Sequence, residues 1–248
     1  MDRHDDAARL LLNARRNPAQ KLRSLPETMR PQTEKQAYLI QRGVMAELGE
    51  IGGWKVGSPR PDGPINCSPL PRSGIQPSPG RASNEPIRAV EAEIGVRLSQ
   101  DLAARDAPYT AADMRDAIDT AHPIIEILTG RFVDPDAVDA LSGLADSGAH
   151  GGLIVGPAIP DWMSVDLAAE TARLVVNGAE VKTRTGNPGG EMMRLLLWVA
   201  NTGARWAGGL RAGQVITTGS WTGKDVVVEG SDVRVEFAQC GEVRLRFG

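Results

Sequence analysis

Glycine and proline punctuate this chain from residue 49 onward, and they limit the length of any regular element there. The 28 glycines and 17 prolines occur in short groups rather than in one tract. Such groups mark turns, because glycine adopts left-handed backbone conformations and proline interrupts helices and central strands. Many turns between short apolar segments are typical of short strands, so this pattern predicts an all-β or α+β fold.

Two helices are predicted before the strand-rich part begins. Residues 5–16 and 34–48 carry apolar side chains near helical spacing, and Thr33 can cap the second helix. Glycines at positions 49, 52 and 53 then end the helical region. The sequence therefore divides into an N-terminal helical arm, residues 1–50, and a β-rich domain, residues 51–248.

Within the β-rich domain, residues 89–98 alternate between apolar and polar side chains and predict a strand. Asn177-Gly178, between Leu-Val-Val at 174–176 and Ala-Glu-Val at 179–181, is a strong hairpin signal. We also expect a helix from Thr110 to about Ala121, stopped by Pro123, and another from Pro188 to about Trp206. Residues 58–80, with seven prolines, are interpreted as a long loop. Further strands are predicted at 54–57, 124–128, 153–155, 215–218, 226–228, 233–237 and 243–247.

Charge and composition argue against several classes of function. The net charge of −3 comes from 28 basic and 31 acidic residues, which gives no reason to expect a nucleic-acid or membrane-surface partner. No apolar stretch is long enough for a signal peptide or a membrane span, so a cytoplasmic location is predicted. Cys67 and Cys240 are far apart and lack a CxxC grouping, which argues against a disulfide scaffold or a structural zinc site.

Three glutamates form the sharpest chemical feature of the sequence. In a strand, Glu91 and Glu93 project from the same face, where two carboxylates can grip a hard cation such as Mg²⁺ or Mn²⁺. The plain alternative is a solvated strand face. Glu126 lies inside the apolar run Ile-Ile-Glu-Ile-Leu, and a buried carboxylate needs a cationic partner. Alternatively, Glu126 points out of a half-exposed strand.

Lys55 stands in the segment Gly-Trp-Lys-Val-Gly at residues 53–57. The flanking glycines would permit close approach of a ligand, and a lysine held there could bind a carboxylate or transfer a proton. A surface lysine beside a turn is the alternative.

Together these residues resemble the fumarylacetoacetate hydrolase superfamily, in particular its branch of 2-keto-4-pentenoate hydratases and 2-oxohex-3-enedioate decarboxylases. The resemblance covers nearly the whole chain and rests on an ordered set of short motifs. They are Gln-Ala-Tyr-Leu-Ile-Gln at 36–41, Gly-Trp-Lys-Val-Gly at 53–57, Val-Glu-Ala-Glu-Ile at 90–94, Pro-Ile-Ile-Glu-Ile at 123–127, Leu-Ala-Asp at 144–146, Gly-Gly at 151–152, Gly-Asn-Pro at 186–188, Leu-Arg-Ala-Gly at 210–213 and Thr-Gly-Ser-Trp-Thr-Gly at 218–223.

The resemblance implies an α+β fold, a mixed β-sandwich or β-roll that carries the metal site, with the helical arm wrapped on it. It implies that Glu91, Glu93 and Glu126 are the metal ligands, that Lys55 is the active-site lysine, and that the ion is Mg²⁺ or Mn²⁺. It also implies a homo-oligomer.

The implied substrate is a small 2-oxo or 2-hydroxydienoic acid, such as 2-hydroxypenta-2,4-dienoate from aromatic catabolism. Chelation by its carboxylate and 2-oxo oxygen would make the ion a Lewis acid that stabilises an enolate. A hydratase, which is a lyase, would then add water at C4, with Lys55 moving protons. The same electron sink would serve decarboxylation of a 2-oxo-enedioate. Hydrolysis of acylpyruvates, or a non-catalytic subunit that binds an active decarboxylase or hydratase, stays open as well.

One motif departs from the family pattern. Where the family commonly has Asp-Asn-x-x-Ser-Gly, residues 146–151 read Asp-Ser-Gly-Ala-His-Gly. Asp146 keeps its family position, whereas His150 occupies the place of the serine. Either the contact that positions water or substrate has changed, or this histidine supplies acid–base function, and a surface residue on a glycine-rich loop is the plain alternative. Both Asp146 and His150 are candidate catalytic residues. Ser220 and Thr222 are candidate ligands of the substrate carboxylate, with turn stabilisation as the alternative.

Overall fold

A computed structural model of the chain describes residues 3–83, 85 and 88–248. The helices are α1 (Arg3–Arg16), α2 (Glu34–Leu48), α3 (Ala111–Ala117), α4 (Ala140–Ala145) and α5 (Met192–Trp198). The strands are β1 (Ile51–Gly57), β2 (Asn66–Pro71), β3 (Ile75–Pro77), β4 (Gly80–Ala82), β5 (Ala89–Leu98), β6 (Leu102–Ala103), β7 (Ile118–Leu128), β8 (His150–Val155), β9 (Thr171–Val176), β10 (Ala179–Thr185), β11 (Gly209–Leu210), β12 (Val215–Thr217), β13 (Asp225–Val226), β14 (Asp232–Phe237) and β15 (Gly241–Phe247).

The two predicted N-terminal helices are present as α1 and α2. The Thr33 hydroxyl accepts a hydrogen bond from the Gln36 N–H at 3.3 Å and so caps α2, as expected. Apolar side chains of both helices form a cluster that also includes Phe132 and Ala145 from the rest of the chain. The helices are therefore packed on the β-rich part, and the division of the chain at residue 50 stays a prediction.

Two sheets face each other across the main apolar core, so the α+β fold with a β-sandwich is confirmed. The larger sheet has the order β2-β1-β12-β5-β7-β8-β3, with β13 added to β5, and the smaller has the order β10-β9-β14-β15-β4. Alternate side chains of the central strands, such as Ala92 and Ile125, point into the core and meet side chains such as Leu174 and Val235 of the smaller sheet. The Asn177-Gly178 hairpin joins β9 and β10 as predicted.

The opposite face of the larger sheet carries the polar side chains of interest. Register pairs Lys55 of β1 with Thr217 of β12, and it pairs Glu91 of β5 with Glu126 of β7. Because paired residues of adjacent strands share a face, these side chains and Glu93 lie on one side of the sheet. Within the described residues, no helix combines the length and apolar character that crossing a membrane requires.

The predicted loop over residues 58–80 is wrong from residue 66 onward. Residues 66–71 form β2, which pairs with β1 in antiparallel fashion despite Pro69 and Pro71. This is possible because β2 is an edge strand with a neighbour on one side only. A proline nitrogen that faces the open side removes no hydrogen bond between strands.

Two predicted helices are shorter than expected. The Thr110 capping box is present, but α3 ends at Ala117, and β7 begins at the next residue and includes Pro123. The carbonyl of Pro123 accepts from the Gly156 N–H at 2.8 Å, just past the end of β8. The proline nitrogen points to the same side as its carbonyl, so the strand pairing of β7 and β8 loses no hydrogen bond to it.

The second shortened helix is α5, which starts at Met192 rather than at Pro188. The Asn187 side chain instead bonds to the Gly189 N–H and to the Thr218 carbonyl. The helix ends at Trp198 in a π-helical turn, Val199–Gly203. The strand predicted at 226–228 is reduced to β13, Asp225–Val226.

Candidate functional site

Three carboxylates converge on the face of the larger sheet that lies opposite the main apolar core. Glu91 and Glu93 are two residues apart on β5, and Glu126 lies directly opposite Glu91 on β7. One oxygen from each side chain lies within 4.8 Å of the others. Glu93 and Glu126 are buried and Glu91 is half-buried, so the alternatives of a solvated strand face and an outward-pointing Glu126 are both wrong.

Lys55 and His150 both donate to the same oxygen of Glu126. The Lys55 Nζ lies 2.7 Å from Glu126 Oε1, and the His150 Nδ1 lies 2.8 Å from that atom. The other oxygen, Oε2, is buried and has no hydrogen-bond partner among the described residues. Lys55 is thus paired inside the site rather than free at a turn, and Glu126 keeps one acceptor atom available.

Gly53, two residues before Lys55, has a different role from the one expected. A Cβ atom on Gly53 would lie 2.3 Å from the Val215 carbonyl oxygen of the neighbouring strand. This glycine therefore admits β12 next to β1 and does not serve the approach of a ligand.

The other two carboxylates have their own donors. Glu93 Oε2 accepts from the Thr217 hydroxyl in a short hydrogen bond and from the Gly219 N–H at 3.1 Å. Glu91 accepts a hydrogen bond from Ser220. These donors come from β12 and the loop after it, which lies beside β5 in the sheet.

The electrostatics of the cluster follow from burial and mutual repulsion. Burial and the charge of Glu126 raise the pKa of Glu91 and that of Glu93 above the ordinary value. Burial alone would also raise the pKa of Glu126, but Lys55 and the His150 hydrogen bond hold it below its usual range. Burial alone would lower the pKa of Lys55, but the three carboxylates raise it.

The arrangement fits a hard divalent cation. Three carboxylates that are buried or half-buried repel one another, and a cation bound between them would relieve that repulsion. The unpartnered Oε2 of Glu126 is a ready acceptor for such an ion. The donor set is entirely oxygen, which suits Mg²⁺, Ca²⁺ or Mn²⁺ better than a soft metal.

His150 is buried at the start of β8, so the alternative of a surface histidine is wrong. Burial lowers the pKa of His150 to about 4 even though Glu126 opposes that shift. The neutral ring donates from Nδ1 to Glu126, while Nε2 has no partner among the described residues.

Asp146 lies beside this cluster but faces Arg131. The Arg131 Nε forms a short ion pair with Asp146 Oδ1, and the Arg131 backbone N–H donates to Oδ2 at 3.0 Å. The same guanidinium donates from Nη1 to the His150 carbonyl at 2.6 Å, and Arg15 of α1 donates to that carbonyl at 3.1 Å. Both oxygens of Asp146 are therefore engaged in fixing the loop that ends at His150, and a proton-transfer role for Asp146 stays a prediction.

The backbone of that loop is strained. Ser147, Gly148 and Ala149 all have positive φ, at 54°, 58° and 63°. Residues with side chains rarely adopt this conformation, and such strain is found most often at functional sites. A Cβ on Gly148 would lie 3.3 Å from Lys55 Nζ, so the loop passes close to the lysine.

Ser220 and Thr222 have different surroundings. Ser220 contacts Glu91 and accepts from the Gly223 N–H at 2.9 Å. The Thr222 hydroxyl is buried, donates to the Gly223 carbonyl and accepts from the Ala92 N–H. Contact with a substrate stays a prediction for both residues, and both of the hydrogen bonds named for the Thr222 hydroxyl are to backbone groups.

Thr217, Arg131 and Lys224 are members of the site that sequence reasoning missed. Thr217 bonds to Glu93, Arg131 holds the 146–150 loop, and Lys224 lies on the same cavity as Glu91. Thr217 could have been suspected because it precedes the Thr-Gly-Ser-Trp-Thr-Gly motif. Lys224 directly follows the same motif and could have been suspected for the same reason, whereas Arg131 lies in none of the motifs.

A cavity of about 520 Å³ opens beside the carboxylates. Glu91 lies on its inner wall and Gly148 and Ala149 of the strained loop form part of its side. Its size is that of a pocket for a small organic molecule. Because Glu91 belongs to both, the three carboxylates and this cavity form one continuous candidate active site.

Comparison with known proteins gives both relatives and structural neighbours. The chain is 30% identical to the 2-keto-4-pentenoate hydratase of Paraburkholderia xenovorans over 160 residues, which cover 64% of this chain and 58% of that protein. It is 29% identical to the 2-oxo-hept-4-ene-1,7-dioate hydratase of Escherichia coli over 171 residues, covering 65% and 62% of the two chains. The match thus spans less than two thirds of the length of these curated relatives.

The fold is shared over the whole chain with the 4-oxalocrotonate decarboxylase of Pseudomonas putida, solved in complex with magnesium and adipate. The TM-score is 0.86 at 23% identity, and the match covers 100% of this chain and 99% of that one. The family model described as fumarylacetoacetate (FAA) hydrolase C-terminal matches residues 71–247, which include the three glutamates, His150 and the Thr217–Ser220 donors. With most of its length and its carboxylate cluster inside that match, the chain belongs to the fumarylacetoacetate hydrolase family.

Proposed function

We propose that this protein is a metal-dependent hydratase, a hydro-lyase that adds water to a 2-hydroxydienoate or 2-oxo-alkenoate such as 2-hydroxypenta-2,4-dienoate. The observation that carries the proposal is the convergence of Glu91, Glu93 and Glu126 beside Lys55 at the wall of a cavity. The relatives at 28–30% identity are named hydratases of 2-oxo acids, which supports the choice of reaction.

In this proposal Glu91, Glu93 and Glu126 hold Mg²⁺ or Mn²⁺. When bound, the ion supplies Lewis-acid polarisation of the 2-oxo group and neutralises the substrate carboxylate. The oxygen-only donor set supports a hard cation. The preference for Mg²⁺ or Mn²⁺ over other hard cations rests on the family resemblance.

The protein's own residues have to move protons along the substrate. Hydration of the dienol needs a proton at C5 and loss of the 2-hydroxyl proton, which together make the conjugated 2-oxo acid. Water then supplies a hydroxyl to C4 and a proton to C3. Lys55 is hydrogen-bonded to Glu126 and lies close to Gly148 at the cavity wall, which favours it as the group that moves the first proton. His150 presents its unpartnered Nε2 in the same cluster and is the second candidate for proton transfer.

Other residues orient these groups. The Thr217 hydroxyl and the Gly219 N–H fix Glu93, and Ser220 fixes Glu91. Arg131 and Arg15 hold the carbonyl of His150, and so hold the start of β8 where its ring projects. Such supporting contacts keep ligands in position, and in other metal sites their loss lowers metal affinity or activity by about 10- to 100-fold.

The test is turnover by the purified protein. With Mg²⁺ or Mn²⁺ present, we expect loss of the ultraviolet absorbance of 2-hydroxypenta-2,4-dienoate and formation of a product heavier by one water. Glu126→Gln should remove this activity, while Glu47→Gln, which alters an exposed ion pair with Arg16, should keep it. Failure of the wild-type protein to consume this dienoate or longer analogues contradicts the proposal.

The alternatives separate in the same experiment. Release of CO₂ from a 2-oxo-enedioate would indicate a decarboxylase, and turnover of an acylpyruvate would indicate a C–C hydrolase. If the protein is a non-catalytic partner subunit, Glu126→Gln should not change the activity of the enzyme that it supports. The homo-oligomer, the cytoplasmic location and a place in aromatic catabolism stay predictions from the sequence.

A further inference from the structure

Much of the wall of the 520 Å³ cavity is apolar. It is formed in large part by Leu128, Phe132, Val133, Val138 and Val226. Val133 and Val226 are 55% and 78% exposed, which places two large apolar side chains in water at the mouth of the cavity. A ligand with an uncharged tail would cover them, and that burial would favour binding.

The charges on the same wall are mostly negative. Besides Glu91 of the carboxylate cluster and Asp146, which is paired with Arg131, the wall carries Asp134 and Asp136. Among the described residues that line the cavity, Lys224 is the only cation.

Lys224 is already paired with one of these aspartates. Its Nζ lies 2.6 Å from both carboxylate oxygens of Asp136, and the Asp136 N–H donates to the Asp134 side chain at 3.0 Å. Two of the three N–H donors of Lys224 face Asp136, so a carboxylate at the far end of a substrate would reach the ammonium only beside the Asp136 carboxylate. Asp136 would meet the incoming group as a like charge, and its backbone N–H is tied to Asp134, which brings a second negative charge.

We propose that this cavity selects 2-oxo acids whose far end is uncharged, and that the Asp136–Lys224 ion pair is the element that disfavours dicarboxylates. The inference rests on the proposed function, because it assumes that the 2-oxo acid end of the substrate binds at the carboxylate cluster. It adds the substrate class, since relatives in this family are named for both monocarboxylic and dicarboxylic substrates.

The first test is binding, which does not depend on turnover. The protein loaded with Mn²⁺ is titrated by calorimetry with 2-oxohexanoate and with 2-oxohexanedioate, which differ only in the group at the sixth carbon. We expect the monocarboxylate to bind more tightly by about tenfold, because the diacid brings a second negative charge to Asp134 and Asp136. Equal affinities, tighter binding of the diacid, or no binding of either compound would overturn the proposal.

The second test changes the ion pair itself. Asp136→Asn should leave Lys224 free to bind the far carboxylate, so the ratio of the two dissociation constants should move toward the diacid by about tenfold. The matched control is Asp106→Asn, which removes an exposed ion pair with Arg205 away from the cavity and should leave the ratio unchanged. Adding Lys224→Met to Asp136→Asn should cancel the gain.

The two proposals can fail separately. If 2-oxohexanoate binds preferentially but no dienoate is hydrated, the selectivity stands and the hydratase function falls. If the dienoate is hydrated while the diacid binds as tightly as the monocarboxylate, the function stands and the role of Asp136 falls. An unchanged ratio in Asp136→Asn would likewise contradict the role of the ion pair.

Discussion

Glu126 stands directly opposite Glu91 in the antiparallel register of β5 and β7. Like charges at such a cross-strand pair destabilise a sheet. Here Lys55 and His150 both donate to a single oxygen of Glu126 and offset part of that repulsion, while the second oxygen keeps no partner among the described residues. The unpartnered buried oxygen, beside two further carboxylates, supports the proposal that a cation binds here.

Lys55 should be needed for turnover and dispensable for metal binding. Replacing it with methionine removes the proton-carrying ammonium but none of the three carboxylates. We expect Lys55→Met to lower kcat for the dienoate by about 100-fold or more, with Mn²⁺ affinity not weakened. Kinetics and Mn²⁺ titration monitored by electron paramagnetic resonance would measure the two effects. Lys35→Met, at an exposed position of α2, is the control and should change neither. Loss of Mn²⁺ binding in Lys55→Met would contradict the assignment.

Thr217 should support the metal site through Glu93. Thr217→Val keeps the shape of the side chain but removes the hydroxyl that donates to Glu93 Oε2. We expect the affinity for Mn²⁺ to fall by about 10- to 100-fold. The neighbouring Thr218→Val is a matched control, because the Thr218 hydroxyl donates to the Ile94 carbonyl at 2.7 Å and does not touch a carboxylate. If both variants lose the same affinity, the effect is one of general stability and the specific role of Thr217 is wrong.

The clustering of the three carboxylates could be predicted from sequence because the signals are local. The two-residue period of a strand places Glu91 and Glu93 on one face, and the apolar neighbours of Glu126 indicate that it is buried. The caps at Thr33 and Thr110 were predictable for the same reason, since a cap depends on three or four adjacent residues.

The supporting residues could not be predicted because they depend on long-range pairing. Thr217 reaches Glu93 only because β12 pairs with β5, more than a hundred residues earlier in the chain. Arg15 reaches the His150 carbonyl across 135 residues. The β2 prolines and Pro123 were misread for a related reason. Whether a strand tolerates proline depends on which side of it has a neighbour, and local sequence does not contain that information.

The Arg131–Asp146 pair should contribute to stability as well as to the shape of the site. Both side chains are almost fully buried, and Arg131 also donates to the Asp146 and His150 carbonyls. Removing one partner leaves an uncompensated buried charge, so Arg131→Met should lower the free energy of unfolding by about 3–5 kcal/mol. The double variant Arg131→Met/Asp146→Asn should lose less than the sum of the two single variants, as measured by urea denaturation of the metal-free protein. Additive losses would show that the two groups do not act as a pair.

His122 should make the fold sensitive to acid. It is buried on β7, with Nδ1 2.9 Å from the Gly156 carbonyl and Nε2 2.8 Å from the Thr120 hydroxyl. Burial lowers the pKa of His122 below its ordinary value of 6.5. As the pH falls past that value, the unfolded chain therefore binds more protons than the folded one. The contribution of His122 to the free energy of unfolding consequently decreases as the pH is lowered. Between about pH 7 and about pH 5, where an unperturbed histidine titrates, the free energy of unfolding should fall less in His122→Asn than in the wild type. Urea denaturation at several pH values measures this difference, and parallel curves for the two proteins would mean that His122 titrates alike in the folded and unfolded states.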